Sequence, residues 1–253
     1  MSLDYLKREQ HGFGQGVYEQ SATQNAPLGA RLVLEDGNGG SIRVFRYAKA
    51  GGTALVAGKL QASAANGGST TVQKNMTIPT IASPGGYQVS VTAVTDAITA
   101  NQFAEGFFTV YDGTAGQGVG QTYQIKSNTL ASAGGVFGLE LYDPLIVQVH
   151  TSAKGSVVKH PYDSVIINPS TASGMPVGVP LIAVTASYYC WLQTWGPVCL
   201  LSDGTMAYAT GLAASDAVNG AVEPVAGDLP EIGYAMNDAA DTKYGCVFLQ
   251  IAP

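Results

Sequence analysis

The sequence predicts a mainly β protein, with antiparallel β-sandwich or barrel domains, long glycine-rich loops and an extended N-terminal arm. Three observations favour this class. Short runs of β-branched and aromatic residues alternate with turns rich in glycine, proline, asparagine and aspartate. Of the 253 residues, 32 are glycine and only 12% are charged, about half the usual share. The predicted elements do not alternate between strand and helix, which argues against parallel βαβ units.

The first 30 residues have no steady periodicity and are predicted to form the arm. A glycine-rich piece at 11–16 precedes an extended polar stretch at 17–24. We expect the arm to become ordered against a neighbouring molecule, with a flexible tail as the alternative. The segment lacks the apolar centre of a signal peptide, and no run approaches the roughly 20 apolar residues of a membrane span. We therefore expect synthesis in a cytoplasm and no membrane partner.

Two β-rich units are predicted after the arm. Residues 31–61 contain a β-hairpin around a glycine-rich turn at 36–40, and both faces of its second strand carry apolar side chains. These residues are assigned to one core domain together with residues 151–253. Residues 62–150 contain short strands separated by turns and are assigned to a second unit, which one interpretation treats as an insertion.

The most distinctive stretch is residues 188–205, which contains both tryptophans and two of the three cysteines. In an extended conformation Tyr189 and Trp191 share one face, and Cys190 lies on the other. The Gly-Pro pair at 196–197 predicts a break between two strands. A core or a subunit interface is the expected role of four aromatic residues, with a ligand platform as the alternative: Tyr189, Trp191, Trp195 and Phe248.

The charge distribution is uneven along the chain. Residues 1–74 carry eight basic and five acidic residues, whereas the whole chain has a net charge of −6. This asymmetry suggests that the N-terminal part docks on an acidic partner, although scattered surface charge without a partner is an alternative. A nucleic-acid-binding protein needs a denser basic patch, so we expect no nucleic-acid partner.

No combination of residues predicts catalysis or cofactor binding. The glycine-rich loops at 12–16 and 116–120 lack the Lys-Ser/Thr pair of a phosphate-binding loop, and no GxSxG elbow is present. His160 with Asp163, and Glu140 with Asp143, are conceivable acid–base pairs, but both lie in turn-like sequence. We therefore expect no enzyme activity, no cofactor and no metal.

The three cysteines are too few and too irregular for a disulfide framework or a metal site. Cys190, Cys199 and Cys246 are expected to be buried free thiols. A bond between Cys190 and Cys199 across the predicted Gly-Pro turn is the alternative.

Short segments at 27–29, 45–52, 55–60, 123–128, 141–145, 191–197 and 232–236 form a pattern of turn glycines and strand residues. In this order they resemble the head decoration (cement) proteins of tailed bacteriophages. Residues 62–110 lie outside the similarity. The resemblance covers most of residues 27–251, and its longest aromatic piece is the segment at 191–197.

This resemblance implies a virion structural protein, usually a homotrimer, made in the host cytoplasm and located on the capsid exterior at capsomer junctions. Its partners would be the major capsid protein and other copies of itself. We expect deletion of residues 1–25 to weaken capsid attachment and to leave the protein folded. The arm and the hairpin supply the residues that we expect to contact the capsid: Tyr18, Arg31, Arg43, Arg46 and Lys49.

Two other function classes stand as alternatives. A phage tail or fibre component would bind host glycans through the tyrosine- and tryptophan-rich segment. A hydrolytic enzyme on a β-scaffold would need an indispensable acid pair or histidine, and no motif supplies one. Glycan binding, or a location on the tail, would favour the first alternative.

Overall fold

The computed structural model describes residues 14–35, 42–64, 70–113 and 118–253. These ranges form sixteen β-strands and no helix, so they include no helix that could cross a membrane. The strands are β1 (Arg31–Glu35), β2 (Ile42–Lys49), β3 (Gln61–Ala62), β4 (Val72–Thr77), β5 (Gln88–Thr92), β6 (Phe107–Asp112), β7 (Thr122–Asn128), β8 (Val136–Leu141), β9 (Lys154–Val158), β10 (Ile166–Ile167), β11 (Pro176–Pro180), β12 (Tyr189–Leu201), β13 (Gly211–Ala214), β14 (Val222–Pro224), β15 (Glu231–Ala235) and β16 (Tyr244–Gln250).

Every pairing between two of these strands is antiparallel, and the strands form two curled sheets. The predicted fold class, mainly antiparallel β of the sandwich or barrel type, is confirmed. Internal contacts divide the chain into unit 1, which comprises Met1–Ala65 and Pro161–Pro253, and unit 2, Asn66–His160. Unit 2 extends to His160 because β9 pairs with β4 and β6 in its sheet.

Unit 1 is organised around the thirteen-residue strand β12. Its first half pairs with β2, its second half pairs with β16, and β11 pairs with it near the middle. The whole sheet has ten strands in the order β10-β3-β11-β12-β16-β15-β13-β14, and the β1–β2 hairpin joins it at β12. The predicted hairpin is therefore confirmed, while the turn predicted at 36–40 lies outside the described residues.

Both faces of the first half of β12 are buried. Trp191 packs with Phe45 and Tyr47 of β2 in one apolar cluster, which also contains residues of the N-terminal segment. Cys190 and Leu192 pack on the opposite face in a second cluster. The alternation expected from the sequence, with Tyr189 and Trp191 on one side and Cys190 on the other, is confirmed. Apolar burial on both sides makes β12 the centre of the unit.

The predicted strand break at Gly196 and Pro197 is wrong, because β12 continues through both residues. Gly196 has a φ of 88°, and a Cβ there would lie 2.5 Å from the Ile42 carbonyl oxygen, so this position requires glycine. Pro197 lies opposite Phe248 at a position that donates no hydrogen bond to β16, so its missing N–H leaves the ladder intact. The pairing of β12 with β2 shifts register between Gln193 and Trp195. There the Gln193 side-chain amide donates to the carbonyl oxygens of Trp195 (3.1 Å) and Pro197 (2.8 Å).

Unit 2 is a six-stranded sheet in the order β4-β9-β6-β7-β8-β5. The sheet curls, and its two edge strands β4 and β5 approach each other. Gln73 Oε1 of β4 accepts the N–H of Val94, which follows β5, at 2.9 Å. The interior is filled by apolar side chains that include Phe103, Phe108 and Phe137. The apolar run at 146–149 forms no strand, since only Val149 makes an isolated bridge there, to Ala82.

Candidate interaction surfaces

The described part of the predicted arm, residues 14–30, belongs to unit 1 and packs against its sheet. Gln15 is 3% exposed, and its Oε1 accepts the Tyr47 hydroxyl at 2.7 Å and the Asn25 Nδ2 group at 3.1 Å. Its backbone oxygen accepts the Trp191 indole N–H at 2.9 Å. Burial raises the pKa of Tyr47, so the phenol stays protonated and donates to Gln15.

These contacts change the expectation for a deletion of residues 1–25. Such a deletion would remove Gln15, and with it the acceptors of a buried tyrosine hydroxyl and a buried indole N–H. It would also remove Val17, which is buried beside Trp191. A deletion that ends at residue 13 leaves all of these described contacts in place and is the cleaner test of an arm.

Two of the five residues expected to contact a capsid, Arg31 and Arg46, are brought together. They are directly opposite each other on β1 and β2. Arg46 also donates to the carbonyl oxygen of Gly29 and to Pro253 O, both at 3.2 Å. Arg46 therefore ties β2 to the end of its own chain, and Arg31 is the more exposed of the pair.

The other two basic residues lie on the opposite face of β2, since they alternate with Arg46 along the strand. The Arg43 guanidinium lies 5.6 Å from the ring centre of Phe45, and the Lys49 ammonium lies 5.4 Å from that of Tyr189. Both are cation–π contacts within the chain. Tyr18 lies apart from them in the turn after Gly16 and is 62% exposed. The five residues are thus divided among three places.

The four aromatic residues expected in a core or at a subunit interface fall into two pairs. Tyr189 and Trp191 contact Tyr47, with ring centres at 5.9 and 4.9 Å, and Trp191 is 1% exposed. Trp195 and Phe248 instead form an edge-to-face pair at 5.7 Å on the outer side of the sheet, where both are half-buried.

An apolar surface surrounds this second pair, and we call it the β12–β16 face. Its members alternate with the buried residues of β12, β15 and β16, and none carries a formal charge at neutral pH: Trp195, Pro197, Cys199, Tyr234, Met236, Tyr244, Cys246 and Phe248. Tyr234 and Met236 are each 42% exposed, and Tyr244 is 47% exposed. Contiguous apolar surface of this kind marks sites of protein association.

A cleft of about 270 Å³ opens beside the β12–β16 face, next to Cys199 and Tyr244. Its other walls come from Pro180, Leu181 and the loop at Gly58. Gly58 has a φ of 70°, and a Cβ there would lie 2.8 Å from the Tyr244 ring. The cleft is mostly apolar, so a partner that covers the face could insert an apolar side chain here.

Unit 2 carries a more polar cleft of about 190 Å³ on the outer face of β5, β7 and β8. Gly138 and Leu139 line its floor, and its rim is polar: Gln88, Ser90, Ser127, Thr129 and Glu140. Lys126 contacts Glu140 at 2.8 Å, and Ser127 donates to the same carboxylate at 3.0 Å. The hydrogen bond from Lys126, then that from Ser127, lowers the pKa of Glu140. A groove lined by hydroxyl, amide and carboxylate groups is suited to a polyhydroxylated ligand.

The cysteines differ in their surroundings. Cys190 is buried as expected, whereas the expectation is wrong for Cys199, which is exposed, and Cys246 is half-buried. Cys199 lies opposite Cys246 rather than near Cys190, whose partner on β2 is Ala48. Within the described ranges, no cluster of three or more His, Cys, Asp or Glu residues has the geometry of a metal site.

The fold and these surfaces define a two-unit antiparallel β protein with an exposed apolar sheet face. No protein-family model and no curated protein matches the chain. Among solved structures, the N base of the head fibre gp8.5 in bacteriophage phi29 is similar, with 10% sequence identity and a TM-score of 0.27. The similarity covers 66% of this chain and 98% of that chain. A TM-score of this size does not define function.

Proposed function

We propose that this chain is a structural protein of a bacteriophage particle that binds the outer surface of the head and bridges capsomer junctions. The β12–β16 face is the observation that carries the proposal, because it offers a largely apolar surface for association with further copies of the chain. Trp195 and Phe248 form an edge-to-face pair within it, and the face also contains the exposed side chains of Tyr234, Met236 and Tyr244. The motif resemblance to head decoration proteins supports the location on the head.

The proposed work of the protein is mechanical. A subunit that spans a junction adds buried area to both neighbours, at roughly 25 cal/mol per Å² of apolar surface before association costs are subtracted. Repetition over the symmetric shell multiplies this contribution through multivalency. The low share of charged residues, 12%, fits a protein whose surface is largely covered in an assembly.

A pair of charged substitutions on the face tests the proposal. We expect Tyr234→Lys with Met236→Lys to abolish self-association, measured by sedimentation velocity, and to reduce binding to expanded phage heads stripped of accessory proteins. The matched control is Tyr208→Lys with Leu130→Lys, which adds the same charge at side chains that are 71% and 70% exposed. Equal association and equal head binding by both double variants would contradict the proposal.

The polar cleft of unit 2 favours a second candidate, a tail or fibre component that binds host glycans. Its rim offers amide, hydroxyl and carboxylate groups around Gly138, whose added Cβ would lie 3.8 Å from the nearest atoms of Thr129. A glycan array tests this candidate. We expect specific binding to be lost in Gly138→Leu, which fills the cleft, and retained in Leu130→Lys. An array without any binding by the unaltered protein would count against it.

A further inference from the structure

Cys199 and Cys246 lie directly opposite each other on the neighbouring antiparallel strands β12 and β16. They are separated by 47 positions in the sequence, so only the folded sheet brings them together. Their sequence neighbours Val198 and Val247 are buried, so both cysteine side chains point to the outer side of the sheet. Small oxidants in solution can therefore reach Cys199.

The backbone hydrogen bonds identify the type of pair. The Cys246 N–H donates to Asn237 Oδ1 at 2.7 Å, and the Cys246 carbonyl accepts the Met236 N–H at 2.8 Å. Both backbone groups of Cys246 thus point away from β12. On β12 itself Leu201, two residues after Cys199, donates its N–H to Gly58 O at 3.0 Å and not to β16.

Cys199 and Cys246 consequently form a pair without mutual backbone hydrogen bonds, the closer of the two antiparallel types. Facing Cα atoms in such a pair are about 4.5 Å apart, inside the range that a disulfide spans. The Cys246 Sγ atom contacts the Met236 Sδ atom at 3.8 Å, and it leaves this weak contact when it bonds to Cys199.

We propose that Cys199 and Cys246 are a redox modification site that a small disulfide such as glutathione disulfide oxidises to a bond within the chain. The Cys199 thiolate attacks glutathione disulfide, forms a mixed disulfide and releases one glutathione. The Cys246 thiolate then displaces the second glutathione and completes the cross-strand bond. The protein loses two electrons and two protons, and the two glutathione molecules gain them.

The bond joins the last strand of the chain to the central strand of unit 1. By closing a long loop it restricts the unfolded chain, and so it stabilises the unit in which it forms. Both sulfur atoms belong to one chain, so the bond needs no partner. Cys199 and Cys246 are members of the β12–β16 face, so a partner that covers the face would shield them, and the test uses the free chain. Failure of head binding would therefore leave this inference untouched.

Thiol counting and peptide mapping test the inference. After incubation with glutathione disulfide and unfolding, we expect the unaltered protein to retain one of three reactive thiols and Cys190→Ser to retain none. The mapped disulfide joins Cys199 to Cys246, and oxidation raises the unfolding temperature by about 5 °C. Cys199→Ser and Cys246→Ser form no such bond and show no rise.

Three results would overturn the inference. One is a mapped disulfide that contains Cys190, and another is a disulfide between two chains in place of the internal bond. The third is retention of all three thiols under conditions that fully oxidise a dithiol peptide. Unfolding each sample before thiol counting ensures that burial does not hide a free thiol.

Discussion

Substitution of Gln15 by alanine tests whether the N-terminal segment is an integral part of unit 1. The Gln15 side chain makes hydrogen bonds to Tyr47, Asn25, Glu19 and Tyr189. Without the Gln15 side chain, the Tyr189 carbonyl keeps its hydrogen bond from the Ser21 N–H, and Asn25 and Glu19 can bond to water because they are exposed. Three of the four partners therefore still have a hydrogen-bond partner. The Tyr47 hydroxyl is not, because Tyr47 is 0% exposed.

A buried hydroxyl without an acceptor costs about 1–3 kcal/mol, and the lost packing of the glutamine side chain adds to this. We therefore expect Gln15→Ala to lower the free energy of unfolding by about 2–3 kcal/mol. Urea unfolding followed by tryptophan fluorescence is a suitable assay, because both tryptophans lie in unit 1. Gln20→Ala is the control: this glutamine is exposed and accepts one bond, from Thr185 N–H, so its loss should cost at most about 1 kcal/mol.

A double-mutant cycle with Tyr47→Phe isolates the hydrogen bond. In the Tyr47→Phe background no hydroxyl remains to be orphaned, so Gln15→Ala should cost about 1–2 kcal/mol less than in the unaltered protein. An equal cost in both backgrounds, or a cost no larger than that of Gln20→Ala, would refute the reasoning.

Three further predictions concern packing, reactivity and charge. Gly233→Ala should destabilise unit 1 by about 1–3 kcal/mol in urea unfolding, because its Cβ would collide with a backbone carbonyl of β16, whereas Gly52→Ala has open space and should cost much less. Burial raises the pKa of Cys190 to about 12, so iodoacetamide at pH 8 should leave it unmodified in the folded protein and label it after unfolding, as read by peptide mass spectrometry. Lys126→Met should leave the urea unfolding midpoint unchanged, because both side chains of the ion pair are largely exposed, at 53% and 40%. The hydrogen bond from Lys126 lowers the pKa of Glu140, so any stability from the pair is present above the unfolded-state pKa of Glu140 and is lost on acidification.

The alternation of side chains along strands was the part of the fold that the sequence predicted best. The assignment of residues to the two faces of β12 follows from the alternation of an extended chain, and the burial of both faces follows from a nearly continuous apolar run. The β1–β2 hairpin follows from two such runs on either side of a glycine-rich turn. Position within a sheet was harder to predict. Pro197 is tolerated inside β12 because the other two partners of β12 stop pairing before it, β11 at Gln193 and β2 at Trp195, and this depends on strands far away in the sequence.

Strand β9 was missed because Lys154-Gly155-Ser156 resembles a turn. In the structure Gly155 belongs to a central strand, and a Cβ there would lie 2.6 Å from the Phe108 ring that covers it. The glycine therefore makes room for an aromatic side chain rather than for a bend. Residues 99–105 form turns in which Asn101 and Glu105 have positive φ, so this segment is not helical.

The candidate surfaces were only partly predictable. The sequence placed Trp195 and Phe248 in a core or an interface, but it could not tell that Tyr234, Met236 and Cys199 lie on the same face, because that depends on the register of three strands. The alternation of Tyr244, Cys246 and Phe248 with buried residues was the available signal. The basic residues are expected to contact one partner because they are close in sequence. Arg43 and Arg46 are three positions apart on β2, however, so their side chains lie on opposite faces of the strand.

Electron cryomicroscopy of expanded phage heads, stripped of accessory proteins and incubated with the purified chain, tests the central proposal most directly. We predict density for the chain on the outer surface at junctions between capsomers, with the β12–β16 face covered by neighbouring copies of the chain. Heads that remain bare at saturating protein, or density in which this face points into solvent, would contradict the account.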